Sequence, residues 1–74
     1  MKHYADIDGD SGIAAYEYTD TSIRVQFKTG KIYEYPASKI GETHLNNMKR
    51  LADAGDGLNA YIMKNAVVKI GYAR

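Results

Sequence analysis

The stretch SIRVQFKTGKIYEYP, Ser22 to Pro36, decides how the chain is read. Ile23, Val25 and Phe27 alternate with Arg24, Gln26 and Lys28, the period of a strand with one buried face. Lys28-Thr29-Gly30 is a turn cluster, and the alternation resumes behind it through Tyr33 and Tyr35 to Pro36. A type I turn closed by Gly30 in the left-handed conformation sets Phe27 opposite Lys31, Val25 opposite Tyr33 and Ile23 opposite Tyr35. A tighter Thr29-Gly30 loop would put Tyr33 opposite Gln26 and Glu34 opposite Val25, mixing the faces. The pattern therefore predicts a hairpin of strands over 22–28 and 31–36.

Toward the N-terminus, Thr19-Asp20-Thr21-Ser22 is a second turn cluster, preceded by a strand over 13–18. A loop at 19–22 sets Tyr18 opposite Ile23 and Tyr16 opposite Val25. Glu17 and Glu34 then both lie beside Arg24, an opposite-charge ladder across the polar face. Toward the C-terminus, Pro36-Ala37-Ser38 stops the third strand and Ser38 is read as a helix N-cap. Ile40, His44, Met48 and Leu51 recur at helical spacing, joined by Leu45 and Ala52, with Lys49 and Arg50 near the end of the helix. Gly41 weakens the first turn by roughly 1 kcal/mol relative to alanine, so the helix is expected to fray or start late. Gly55-Asp56-Gly57 ends it. A second helix over about 58–66 places Leu58 and Ile62 on one face, and Val68, Ile70 and Tyr72 alternate as an edge strand would. The expected fold is α+β: a three-stranded antiparallel meander followed by two helices on one sheet face, with a C-terminal edge strand. Its expected division is an acidic N-terminal arm over 1–10, a domain over 11–66 and an extension over 67–74.

A chain of 74 residues makes one domain with a small core, near the range where a core alone suffices without staples. It has no cysteine, hence no disulfide framework and no zinc–thiolate site. Self-association is one way to bury the apolar surface a monomer leaves wet. The lack of cysteine fits a reducing compartment, and no apolar run reaches membrane-spanning length. The expectation is a soluble, cytoplasmic chain with no membrane partner. A net charge of +1 argues against a dedicated strong nucleic-acid binder. Once Asp6, Asp8 and Asp10 are set aside, the rest is modestly basic, which is compatible with weak phosphate binding.

The stretch DIDGDSGIAAYE, Asp6 to Glu17, is spelled almost like a calcium loop. Two features count against an EF-hand. Position 6, which needs glycine, is Ser11, and strands rather than helices flank the stretch. Glu17, committed to the polar sheet face beside Arg24, is not free to act as the twelfth ligand. The stretch reads as an acidic, mobile arm joined to the start of the first strand at Ile13. No metal is assigned to it.

Strand I-x-x-Y-x-Y, strand I-R-V-Q-F, turn K-T-G, strand I-Y-E-Y-P, a helix and then G-L-N-x-x-I together resemble the KTSC domain. That domain is named for its occurrence at the C-terminus of some lysyl-tRNA synthetases and is also found as a free-standing small protein. The resemblance runs from about Ser11 to Asn65. Its central mark is Tyr33-Glu34-Tyr35, six residues after Phe27, followed by Gly57, Asn59 and Ile62. The chain departs from the usual pattern in its long Gly55-Asp56-Gly57 link, in Ala60 where a basic residue is common, and in its C-terminal extension. The resemblance implies a small α+β binding module, with RNA as the suggested ligand.

Tyr16, Tyr18, Tyr33 and Tyr35 share one sheet face with Ile23, Val25 and Phe27. They could serve as a stacking platform for bases, or be the face the helices cover. Patterning favours an aromatic core, because the opposite face carries Glu17, Arg24, Gln26, Lys28 and Glu34 and only Ile32 is apolar there. Lys28, Lys31, Lys39, Lys49, Arg50 and Lys64 are the candidate nucleic-acid contacts, with an ordinary solvated surface as the other reading. The Asp56-Gly57-Leu58-Asn59 helix start offers N–H groups to an anion, unless Asp56 caps it. His44 lies on the apolar helix stripe as a satisfied, semi-buried histidine, and His3 in the arm. No catalytic constellation or cofactor site stands out, so a non-enzyme is expected.

Two functions follow as expectations. The first is a non-catalytic KTSC-type binding module contacting RNA or another nucleic acid. The second is a protein–protein or self-association module, such as a small phage-type accessory protein or an inhibitor of a host factor. It would offer the edge at 13–18 or the tail at 67–72 for β-augmentation. Small-ligand sequestration between protomers is permitted by the size and the tyrosines, but nothing in the sequence indicates it.

Overall fold

The computed structural model describes residues 1–7 and 12–72. In chain order the elements are β1 (Lys2–His3), β2 (Ile13–Tyr18), β3 (Ser22–Phe27), β4 (Ile32–Pro36), α1 (Ala37–Ile40), α2 (Glu42–Ala54), α3 (Leu58–Lys64) and α4 (Ala66–Ile70). The strands form one antiparallel sheet in the order β1-β2-β3-β4.

The expected meander register holds. Val25 pairs with Tyr33 and Tyr16, and Ile23 with Tyr35 and Tyr18. Gly30 closes the β3–β4 turn at φ 96°, its N–H donating to the Phe27 carbonyl at 2.8 Å. Arg24 stands between Glu17 and Glu34, at 3.3 and 3.5 Å. All three side chains are well exposed, so the pairs fix register more than they stabilise, at about 0–1 kcal/mol each.

One irregularity was not expected. Ile13 pairs with Phe27 but Ala15 with Gln26, a β-bulge at Ala14. The extra residue lets Ile13 and Tyr16, at opposite parity, both face the core, where they are 0% and 5% exposed. The Ala14 carbonyl turns instead toward β1 and accepts the Tyr4 N–H at 3.0 Å.

The core lies between the sheet and the helices. Ile23, Val25, Tyr16 and Tyr35 from the sheet meet Ile40, Leu45, Met48, Ala52, Leu58, Ile62 and Val68 from above. Fully burying side chains of this kind contributes about 1.5–3 kcal/mol each before entropy is set against it.

Four expectations are corrected. Ser38 is not a cap: α1 starts at Ala37, whose N–H donates to the Thr21 carbonyl at 2.8 Å, and Pro36 precedes it without a side-chain cap. The first predicted helix is two helices, because Gly41, at φ 86° and ψ 154°, breaks it and starts α2. The tail 67–72 is no strand. Ala66–Ile70 is helical, with Val68 buried and Ile70 78% exposed, so the apparent alternation of Val68 and Ile70 was the two sides of a helical turn. It packs on α1 as part of the domain rather than as an appendage.

The N-terminal arm is likewise structural from Lys2 to Ile7. Lys2 pairs with Tyr16 and His3 with Ala15, so β1 covers the β2 edge that the sequence offers for augmentation. Tyr4 is buried, Ile7 donates its N–H to the Gly55 carbonyl at 2.8 Å, and Asp6 meets Lys28 at 3.1 Å. The aspartates at 8 and 10 fall outside the described residues.

Candidate functional site

Asp53, on the last turn of α2, receives two phenols from β2. Tyr16 donates to Oδ1 at 2.8 Å and Tyr18 to Oδ2 at 2.7 Å, with the two rings stacked at 6.2 Å. The alternation of β2 places both tyrosines on the helix side, and α2 crosses over them. The bond from Tyr18, then that from Tyr16, holds the Asp53 carboxyl below its ordinary range, helped by the charge of Lys2. Burial, then the bond to Asp53, pushes the Tyr16 phenol up to about 12. Tyr18 is raised too, chiefly by its bond to Asp53. An acid held by two donors whose protons it keeps in place is a clamp between sheet and helix, and a poor general base.

Tyr18 corrects the expected aromatic core. At the end of β2 it runs past the helix layer, is 38% exposed, and carries Lys49 over its ring at 5.2 Å. Tyr16 and Tyr35 are buried as expected, and burial, then the charges of Tyr33 and Tyr72, raises Tyr35 to about 12. Tyr33 is half-buried between Phe27, at 5.6 Å, and Tyr72, at 4.7 Å.

His44 sits half-buried on α2, with Nδ1 2.6 Å from the Tyr61 hydroxyl of α3. Asn47 Nδ2 donates to the same hydroxyl at 3.2 Å. With Asn47 on one lone pair, we assign the hydroxyl proton to His44 Nδ1, which leaves the imidazole proton on Nε2. The triplet braces α2 against α3. At the start of α3, Gly57 is the N-cap without a side-chain bond, and the Tyr4 hydroxyl accepts the Leu58 N–H at 3.2 Å. Asp56 is therefore not the cap, and a phenol oxygen occupies the position read as open to an anion.

The basic residues are spread over several elements. Lys28 and Lys31 flank the β3–β4 turn, and Lys28 is engaged by Asp6. Lys39, on α1, lies beyond the far end of β4, roughly 17 Å of strand away. That exceeds the Debye length of about 8 Å at physiological salt, so the two groups do not reinforce one another. Lys49 and Arg50 lie on α2, Lys49 over Tyr18, and Lys64 ends α3. Among the described residues, no group of three or more His, Cys, Asp or Glu could hold a metal ion, and no helix is long and apolar enough to cross a membrane.

Apolar side chains are exposed on β4 and on the C-terminal tail. Ile32, Val67, Ile70 and Tyr72 are 46%, 52%, 78% and 42% exposed. Tyr72 packs edge-on against Tyr33 and Tyr35, which seats the tail against β4. One hollow of about 340 Å³ is lined by Lys31, Ile32, Tyr33 and Tyr72, and another of about 300 Å³ by Lys39, Val67, Ile70 and Gly71. Reading the tail as a strand hid this surface. The signal was the i, i+3 pair Val67 and Ile70, which only a helix sets side by side.

The chain matches no protein-family model, no curated protein and no solved structure.

Proposed function

We propose that this chain is a small non-catalytic binding module of the KTSC type, and that its ligand is polypeptide held along β4 and α4. The observation that carries the reading is the exposed Val67, Ile70 and Tyr72 of the tail beside the β4 edge, with Ile32 exposed on the other side of that edge. Isolated apolar residues on a surface need no explanation, but Val67, Ile70 and Tyr72 follow one another on a tail seated against a strand whose outer edge pairs with no other described strand, which is the setting of an interaction site. The nucleic-acid reading draws less support. Tyr16 and Tyr35 are buried, so they cannot stack on bases, and the lysines sit on separate elements.

A peptide display library selected against the chain provides the test, read by fluorescence anisotropy of the recovered peptides. Extended peptides with apolar residues are expected, their affinity falling about tenfold or more in Ile70→Glu, which places a charge among these side chains. Selection of no binder, with salt-sensitive affinity for single-stranded RNA instead, would overturn the reading.

A further inference from the structure

We infer that the polypeptide best matched to the β4 edge is a second copy of β4, paired antiparallel about a two-fold axis at Ile32. This deepens the reading above and rests on it.

Backbone phase comes first. Phe27 donates its N–H to the Lys31 carbonyl, and Ala37 donates to Thr21, each at 2.8 Å. These two pairs bracket the hairpin in one phase, so the odd-numbered residues of β4 spend their backbone groups on β3. The N–H and C=O of Ile32 and Glu34 therefore point away from β3, along the outer edge of the sheet. Pro36 has no N–H and ends the usable edge.

Side chains then choose among the symmetric registers. A two-fold at Glu34 would set Glu34 against its own copy and Ile32 against Pro36, joining like charges and wasting a donor. A two-fold at Tyr33 would set Ile32 against Glu34. A two-fold at Ile32 sets Ile32 on Ile32 across the uncovered sheet face, and Lys31 beside Tyr33 on the helix face.

That last register also has a place for what it brings. The hollow of about 340 Å³ is lined by Lys31, Ile32, Tyr33 and Tyr72, the residues gathered at this axis. The Lys31 stem of one copy enters the hollow of the other and sets its ammonium against the Tyr33 and Tyr72 rings. Apolar meets apolar on one face and cation meets aromatic on the other. Because the same edge is used by both copies, the assembly closes as a dimer.

Sedimentation velocity up to about 1 mM tests the inference, together with isotope-filtered NOEs on a mixture of labelled and unlabelled chain. A reversible dimer is expected, with cross-copy contacts between Ile32 methyls. Ile32→Pro removes an N–H that points away from β3 and is accepted by none of the described residues, once from each copy, and should weaken the dimer about tenfold while leaving the melting temperature of the monomer nearly unchanged. A chain monomeric throughout would overturn the inference, as would a dimer indifferent to Ile32→Pro with no Ile32 contact. If that monomer still binds selected peptides, only the second copy is ruled out and the polypeptide-binding reading stands.

Discussion

The phenol oxygen of Tyr4 lies 3.2 Å from the Leu58 amide nitrogen and accepts its N–H, so the fourth residue of the chain completes the first turn of α3. Tyr4 is 1% exposed, and its ring meets Tyr16 edge-on at 6.4 Å. Tyr4→Phe keeps the ring but leaves a buried N–H without its partner, a loss of about 1–3 kcal/mol. Tyr4→Ala also empties the ring's place and should cost about 3–5 kcal/mol, a large share of a small domain's stability. Urea unfolding of the two variants checks both. An unchanged midpoint in Tyr4→Ala would return the N-terminus to the status of an appendage.

Gly55 joins the same region by close approach. It ends α2 at φ 73°, and a Cβ there would lie 2.5 Å from the Ala5 Cβ. Gly55→Ala should cost more than the roughly 1–2 kcal/mol of left-handed strain alone. Adding Ala5→Gly should recover the part of the excess due to the Cβ–Cβ contact, while the Ala5 Cα at 3.3 Å and the left-handed strain remain, giving a favourable coupling in a double-mutant cycle.

Tyr16 and Tyr35, both raised to about 12, set an alkaline limit. Their folded-state values lie above the unfolded value of 10.0, so the folded chain holds these protons more tightly. The stabilisation is complete below pH 10 and is lost as the pH rises toward 12. Melting temperature should fall across that window, with the last phenolate absorbance appearing together with unfolding. Asp53 acts at the other end. Its lowered carboxyl contributes stability above the ordinary aspartate range, lost as the pH falls through the depressed value. Asp53→Asn should flatten the acid limb of the melting curve and soften the alkaline limb, because Tyr16 loses the part of its shift that Asp53 supplies while Tyr35 keeps its own.

The 2.6 Å contact between the Tyr61 hydroxyl and His44 Nδ1 predicts that the neutral tautomer of the ring is the one with its proton on Nε2. Ring nitrogen shifts at neutral pH report the tautomer directly. Tyr61→Phe should abolish the preference and cost about 1 kcal/mol through the two lost bonds to His44 and Asn47.

The meander is legible in the sequence because two independent patterns agree on it. Ile23, Val25, Tyr33 and Tyr35 demand one face, and Arg24 between Glu17 and Glu34 demands the same register. The rest hides for identifiable reasons. Lys2-His3 is too short to show any period, and its partner Tyr16 lies inside the stretch that is spelled almost like a calcium loop. Alanine at 14 is neutral toward both faces, so the bulge leaves no mark. Val68, Ile70 and Tyr72 alternate as a strand does, and over five residues the helical alternative looks the same. That last ambiguity cost most, because the proposed binding surface depends on Val67 and Ile70 sharing one side of a helix. Asp53 and Tyr61 carry no mark of their roles in the sequence, because each completes its contacts only across the packed layers.

The most direct test of the polypeptide-binding account is one pair of titrations followed in the amide spectrum of the labelled chain, first with single-stranded RNA at low salt and then with a selected peptide. The account predicts peptide-dependent shifts at Ile32, Glu34 and 67–72, and none of comparable size with RNA. Shifts centred on Lys28, Lys31, Lys39, Lys49 and Arg50 that grow with RNA and fade with salt, while the β4 and α4 amides stay still with peptide, would contradict it.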